Sequence, residues 1–264
     1  MIHDVDVEDP RLADYRDLRD VSLRKVLEPA HGLFIAESKN VIGQALRAGY
    51  VPRSLLIDRD RLREIKDLQP WLSEDVPILT ASQELLRRIT GFTVHRGFLA
   101  SMHRKPARAV AEIVAGARRL VVLESIVDHT NVGAILRSAA GLGWDGVILD
   151  EACADPLYRR SVRVSMGAAL TLPWARVQPW SSLPEVLNGF RILALTPDTS
   201  ATDLDQLAVS ADDRIALVFG TEGSGLSPMA LAMVDRHVRI PMQQGVDSLN
   251  VGAAAAIGLW HLRG

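Results

Sequence analysis

Apolar positions recur along this chain with two periods, and the alternation between them lays out the elements. From about Asp14 the run LRDVSLRKVLEP spaces its apolar residues as an amphipathic helix does, and the short apolar stretch Leu33 to Ala36 after it reads as a strand. Ser38 stands where a helix running to about Ala48 needs its N-cap, and Gly49 is the stop signal. A strand over Ser54 to Ile57, a charged helix over Asp60 to Leu72 and a short strand over Pro77 to Leu79 follow. A helix capped near Thr80 or Ser82 and a strand near Gly97 to Met102 complete a small α/β unit. The segment Arg104 to Arg119 opens basic and proline-containing and turns into an alanine-rich helical pattern, which suits a connector.

Beyond it, apolar strands alternate with helices: Leu120 to Leu123, helix Val132 to Leu142, Gly146 to Leu149, Ile192 to Leu195, Ile215 to Phe219 and Val238 to Ile240. Short apolar runs separated by helical patterns imply an α/β fold with a mostly parallel sheet covered on both faces. Ligands of such sheets sit at the carboxyl ends of the strands, which singles out the loops after Leu123, Phe219 and Ile240. The expected organisation is an N-terminal domain over 1–104, a linker over 105–119 and a second domain over 120–264, without internal repeats or low-complexity tracts.

Composition narrows the class. With 264 residues, 48% hydrophobic and 23% charged, the chain is that of an ordinary globular protein able to bury one large or two modest cores. The longest apolar stretch, Val251 to Trp260, is too short to span a bilayer, and the N-terminus is acidic where a signal peptide is basic, so a cytoplasmic protein without a membrane partner is expected. The single cysteine, Cys153, excludes an intrachain disulfide, and no metal site is expected. A net charge of −2 argues against gripping nucleic acid through bulk positive potential, so any RNA has to be held locally. Two local basic clusters exist, Arg16, Arg19, Arg24 and Lys25, and Arg159, Arg160 and Arg163. Acidic residues interleave the first, and solvated surface is the plainer account of both.

Three loops carry the candidate chemistry. The first, Asp128-His129-Thr130-Asn131-Val132-Gly133, leads into a helix that Asn131 can cap and from whose second turn Arg137 projects. The second, Phe219-Gly220-Thr221-Glu222-Gly223-Ser224-Gly225-Leu226-Ser227, sets three glycines around one carboxylate and permits close backbone approach to a ligand; Pro228 then opens a helix. It is neither a dinucleotide fingerprint nor a P-loop. The third, Ile240-Pro241-Met242-Gln243-Gln244-Gly245-Val246-Asp247-Ser248-Leu249-Asn250-Val251, enters the alanine-rich last helix, with Asp247 or Ser248 as its cap.

In order and content the three loops resemble the motifs of the SpoU branch of the SPOUT methyltransferases: N-x-G-x-x-x-R, then F-G-x-E-x-x-G-L-S, then I-P-M followed by S-L-N-V. The resemblance covers about Leu120 to Leu262. More loosely, Leu33 to Ser101 looks like the family's small substrate-binding domain, whose fold is similar to some ribosomal proteins. It implies S-adenosylmethionine as cofactor, RNA as partner, a homodimer with the cofactor site next to the interface, and functional positions at Asn131, Arg137, Glu222, Ser248 and Asn250. It also implies a deep trefoil knot whose backbone wraps the cofactor's adenosine, drawing on Phe219, Gly220, Thr221, Glu222, Gly223, Ile240, Met242, Leu249, Asn250 and Ala253. His129 stands where the family often has proline, and Gly252 where a serine is common; a loop or capping role is the expectation for His129.

The implied reaction is methylation of a ribose 2′-hydroxyl in structured RNA, with ribosomal RNA expected ahead of transfer RNA. Arg137, permanently protonated, is expected to act as electrostatic stabiliser and phosphate clamp rather than base. Asn131 and Ser248 are expected to orient the reacting groups, and Glu222 and Asn250 to hold the cofactor loop. The alternatives are a catalytically silent RNA-binding module on the same fold, and a dinucleotide-dependent enzyme, which the missing glycine fingerprint disfavours.

Overall fold

The computed structural model of the chain describes residues 2–243 and 245–263; Gln244, part of the third loop, and the two terminal residues Met1 and Gly264 lie outside the described residues. The chain divides into two units. One comprises everything up to Pro106 together with Leu157–Leu170, the other Ala107–Pro156 and everything from Thr171 onward.

The first unit holds strand β1 (Ile2–Asp4), helix α1 (Val21–Ala30), β2 (Leu33–Glu37), α2 (Lys39–Arg47), β3 (Pro52–Asp58), β4 (Ile78–Ala81), α3 (Gln83–Thr90) and β5 (Phe98–His103). Its sheet runs β1-β4-β3-β5-β2, parallel from β1 to β3 and antiparallel on both sides of β5. Leu12, Leu56, Leu79, Leu86 and Leu99 pack its core. Ser38 caps α2 through Val41 N, at the strained φ of 88°.

Two local patterns resolve differently from the sequence expectation. The helix expected from Asp14 is broken: a 3-10 turn ends at Tyr15, Asp17 adopts φ 53°, and α1 starts afresh behind the cap of Asp20, whose carboxylate accepts from Leu23 N. α1 is also turned inside out, burying an Arg24–Glu28 ion pair of 2.9 Å while Leu23 and Val26 face solvent. The charged segment expected as one helix over Asp60 to Leu72 forms two 3-10 pieces, Arg59–Asp67 and Gln69–Trp71. Its apolar residues Leu62, Ile65, Leu68 and Trp71 recur every third position, the period of a 3-10 helix, and Pro70 breaks the ladder.

The second unit opens with α4 (Val110–Val114), β6 (Arg119–Leu123), α5 (His129–Gly141) and β7 (Gly146–Leu149). After α6 (Arg159–Val164), which lies in the first unit, and α7 (Ala168–Thr171) come β8 (Trp174–Arg176), α8 (Leu183–Val186) and β9 (Arg191–Leu195). The chain continues through β10 (Thr202–Asp203), β11 (Ile215–Phe219), α9 (Pro228–Ala232), β12 (Arg236–Arg239) and α10 (Val251–His261). All seven strands are parallel, in the order β10-β12-β9-β11-β6-β7-β8. The central strands β6, β7 and β11 are buried throughout, the condition that produces continuous apolar runs.

The segment expected as a linker is structured: Ile113 on α4 packs into the core of the second unit with Ala117 and Leu120. Leu157–Leu170, expected with the second domain, joins the first unit, where the Arg159 guanidinium donates to Glu37 at 2.6 Å. Residues 122 apart in sequence form that bond, a separation no periodicity reports. Among the described residues no helix is long and apolar enough to cross a membrane.

Candidate active site

β6 and β11 end in register at Leu123 and Phe219, and Glu124 N donates across to Phe219 O at 2.9 Å. The glycine loop therefore springs from the carboxyl edge of the sheet. A Cβ on Gly220 would stand 2.3 to 2.4 Å from the backbone of Gly225 and Leu226, so the two ends of the loop cross at a point where only glycine fits. Gly225 N donates to Thr221 O at 3.0 Å, and Gly223 and Gly225 take φ of 90° and 70°. The outgoing end is clamped by Glu124, whose buried carboxylate accepts from Ser227 N at 2.8 Å and Ser227 Oγ at 2.6 Å. Sequence reasoning missed Glu124; its only signal was its place directly after a buried strand.

The tip of this loop meets the starts of two helices. Glu222 Oε1 accepts from Asn131 Nδ2 at 3.0 Å and Asn250 Nδ2 at 2.6 Å, and Asn250 Nδ2 also donates to Asn131 Oδ1 at 3.1 Å. The structure thus brings three of the five expected functional residues together. Two capping expectations change. Asp128, not Asn131, caps α5 by accepting from Thr130 N, which places Asn131 inside the first turn. Asn250, not Asp247 or Ser248, caps α10 by accepting from Gly252 N at 3.0 Å. Gly252 lets the two helix starts approach, since a Cβ there would lie 3.1 Å from Asn250 Oδ1 and 3.3 Å from Ala134 Cβ.

Beside this knot of hydrogen bonds lies a cavity of about 310 Å³, within the usual range for a small-molecule site. Phe219, Gly220, Thr221, Glu222, Gly223, Ile240, Met242, Ser248, Leu249 and Asn250 line it. Ala253 does not: it faces solvent, and Ala254, one step of about 100° around α10, takes the place. Leu195, Thr196 and Pro197 complete the wall. Leu195 ends β9 and the other two follow it, at the carboxyl end of a parallel strand outside the three loops the sequence singles out. The loop after Leu123 contributes only through Asn131 behind the wall, and His129 is buried in the first turn of α5 away from the cavity.

Arg137 stands apart. Six residues beyond Asn131, it lies about 9 Å further along α5 and on another face, exposed and outside the cavity lining. Charge on the lining is one-sided: among the described residues Glu222 and Asp247 are its charged side chains, with no lysine or arginine.

A glycine-crossed loop and two helix starts, closing a pocket at the carboxyl edge of a parallel sheet, define a cofactor-binding α/β enzyme domain. A model of the SpoU rRNA Methylase family matches residues 118–260. An uncharacterised tRNA/rRNA methyltransferase of Mycobacterium tuberculosis is 44% identical over 97% of this chain and 89% of its own. The Bacillus subtilis 23S rRNA (guanosine(2553)-2′-O)-methyltransferase RlmP is 25% identical over 88% of each. An AdoMet-bound rRNA methyltransferase from Sinorhizobium meliloti superposes with a TM-score of 0.83 at 21% identity, over 98% of this chain and 97% of that one. The chain belongs to the SpoU rRNA methylase family and is an RNA methyltransferase.

Proposed function

We propose that the protein methylates a ribose 2′-hydroxyl in structured RNA, ribosomal RNA ahead of transfer RNA, with S-adenosylmethionine as the methyl donor. The observation that carries the cofactor is the lining of the cavity. Its acids and absent cations suit a ligand of net positive charge, as a sulfonium with an ammonium and one carboxylate is, and disfavour a pyrophosphate. Ribose as the target draws on the relationship to RlmP and on the N-x-G-x-x-x-R spacing that carries Arg137.

When bound, S-adenosylmethionine supplies an electrophilic methyl group for in-line displacement. The chain's own task is then alignment and charge. Phe219 to Gly223, Ile240, Met242, Leu249 and Asn250 hold the cofactor, with the backbone of these segments wrapping its adenosine as a deep trefoil knot. Asn131 and Asn250 fix the Glu222 carboxylate, and Ser248, open at the cavity wall, orients the reacting groups by hydrogen bonding. Arg137 holds a substrate phosphate and stabilises the developing alkoxide; a guanidinium has no lone pair to offer as base, so a phosphate or a water accepts the proton.

A homodimer fits the placement of Arg137. α10 is apolar all round, yet Ile257 and Trp260 are 42% and 57% exposed on the face away from its own sheet. A second copy seated there covers that stripe, and an exposed Arg137 then serves a site it does not line. The first unit recognises RNA and the second performs the transfer.

The test is transfer of labelled methyl to protein-free ribosomal and transfer RNA, with the modified nucleoside identified. Arg137→Ala should bind S-adenosylmethionine as the parent does and lose transfer by about a hundredfold or more, the scale of a lost transition-state charge contact. Near-normal turnover, or a methyl on a base, overturns the assignment. A monomer by sedimentation at micromolar concentration overturns the dimer.

A further inference from the structure

Two basic clusters far apart in sequence have no part in the pocket, and the fold brings Arg19 of the first beside the second. Arg159, at the start of α6, donates through Nη1 to Glu37 at 2.6 Å and through Nη2 to Leu18 O at 3.4 Å, a contact 141 residues apart in sequence. Its guanidinium lies 4.2 Å from the centre of the half-buried Phe92 ring. Arg19, next to Leu18, donates to Gly91 O, next to Phe92, at 3.2 Å. Arg163 reaches the same Glu37 only at 3.7 Å and is 53% exposed. Arg160 is exposed three residues before it, on the same helix face. All of these residues lie in the first unit.

The interleaved acids, which in sequence argue against a phosphate-binding role, are turned to other tasks. Asp14 accepts from Arg53 and Ser101, Asp20 caps α1, and Glu28 is buried against Arg24. Asp17 remains exposed. Glu37 is buried and neutralises mainly Arg159, which leaves Arg19, Arg160 and Arg163 as a cationic ridge around a rigid stacked arginine.

We infer that Arg19, Arg160 and Arg163 form an RNA-backbone docking ridge on the first unit, with Arg159 and Phe92 as its fixed base. Guanidinium groups pair with phosphate oxygens in a fork that lysine does not reproduce, and the ridge reads charge and shape, not sequence. It also reconciles a chain of net charge −2 with an RNA partner, since the cations are gathered on one ridge while Glu28 and Glu37 beneath it are buried against arginines. The inference rests on the RNA reading above.

Filter binding of protein-free ribosomal RNA across 50 to 300 mM salt tests it. Each phosphate contact contributes about 0.9 to the slope of log affinity against log salt. Arg160→Ala with Arg163→Ala should lower that slope by about 2, and Arg19→Ala by about 1, while calorimetric S-adenosylmethionine binding and the melting temperature stay at the parent's values. The corresponding lysine variants should restore most of the slope. Parent-like slopes in the alanine variants, with the parent binding RNA, overturn the ridge and leave the RNA reading intact. A parent that binds the cofactor but no RNA overturns both.

Discussion

Asn250 uses every polar atom of its side chain: Oδ1 caps α10, and Nδ2 serves both Glu222 and Asn131. Asn250→Asp keeps the cap but puts a second carboxylate 2.6 Å from Glu222. Two such groups cannot both ionise, so one pKa rises and the loop closes only when a proton is shared. Because the protonated pair is the competent one, cofactor affinity should be near that of the parent at pH 5 and fall at least about tenfold by pH 8, a loss of one pKa unit's worth of free energy or more. Calorimetry at several pH values checks this, and a pH profile parallel to the parent's counts against it. Gly220→Ala is expected to be harsher still, because backbone occupies the space its Cβ needs; about 1–3 kcal/mol of stability and most cofactor binding should go, read by chemical denaturation and calorimetry. The sequence motif named Glu222 and Asn250, but not how they meet. Capping preference pointed to Ser248 and Asp247, because a cap is recognised by residue type, whereas the true cap is decided by where the helix starts. Glu124 went unseen for a similar reason: a lone acid after a strand has no signature until Ser227 faces it.

At the scale of elements, the parallel strands were legible because buried strands must be apolar along their whole length. Strands that bury little, β8 and β10, were not. α10 shows what neighbouring elements add. Gly258 allows it to lie close over Leu217, and its last turn is fastened by Arg119 at the start of β6, buried to 4% exposure. The Arg119 guanidinium donates to the carbonyls of Leu262 at 2.7 Å and Ser210 at 3.0 Å, and to that of Asp213. Burial lowers its pKa from the ordinary arginine value; a guanidinium nonetheless stays protonated in proteins, and its N–H groups serve the carbonyl acceptors. Arg119→Met would leave the buried Leu262 carbonyl and the part-buried carbonyls of Asp213 and Ser210 without this donor. About 2–4 kcal/mol should be lost, with faster amide exchange in α10 than in α5 as the local sign. Equal acceleration in both helices would assign the loss to the sheet instead.

For the whole molecule, the return of Leu157–Leu170 to the first unit could not be read from pattern, because a segment's partners far along the chain leave no trace in its own periodicity. The single cysteine offers a direct test of the second unit's integrity. Cys153 is buried, its thiol donates to Leu123 O at 3.3 Å, and Asp150 Oδ1 accepts from Cys153 N at 2.8 Å. Burial first, and the Asp150 charge next, push the thiol far above its ordinary range, so no thiolate is present at neutral pH in the folded state. Reaction with a thiol reagent should therefore wait on opening of the ends of β6 and β7, beside β11, whose end carries the cofactor pocket. If S-adenosylmethionine binds only the closed form, a concentration of 100 times Kd stabilises it by about 2.7 kcal/mol and should slow labelling roughly a hundredfold. Labelling at the rate of an exposed thiol would refute the burial, and slow labelling indifferent to the cofactor would show that the opening that frees Cys153 leaves the pocket intact.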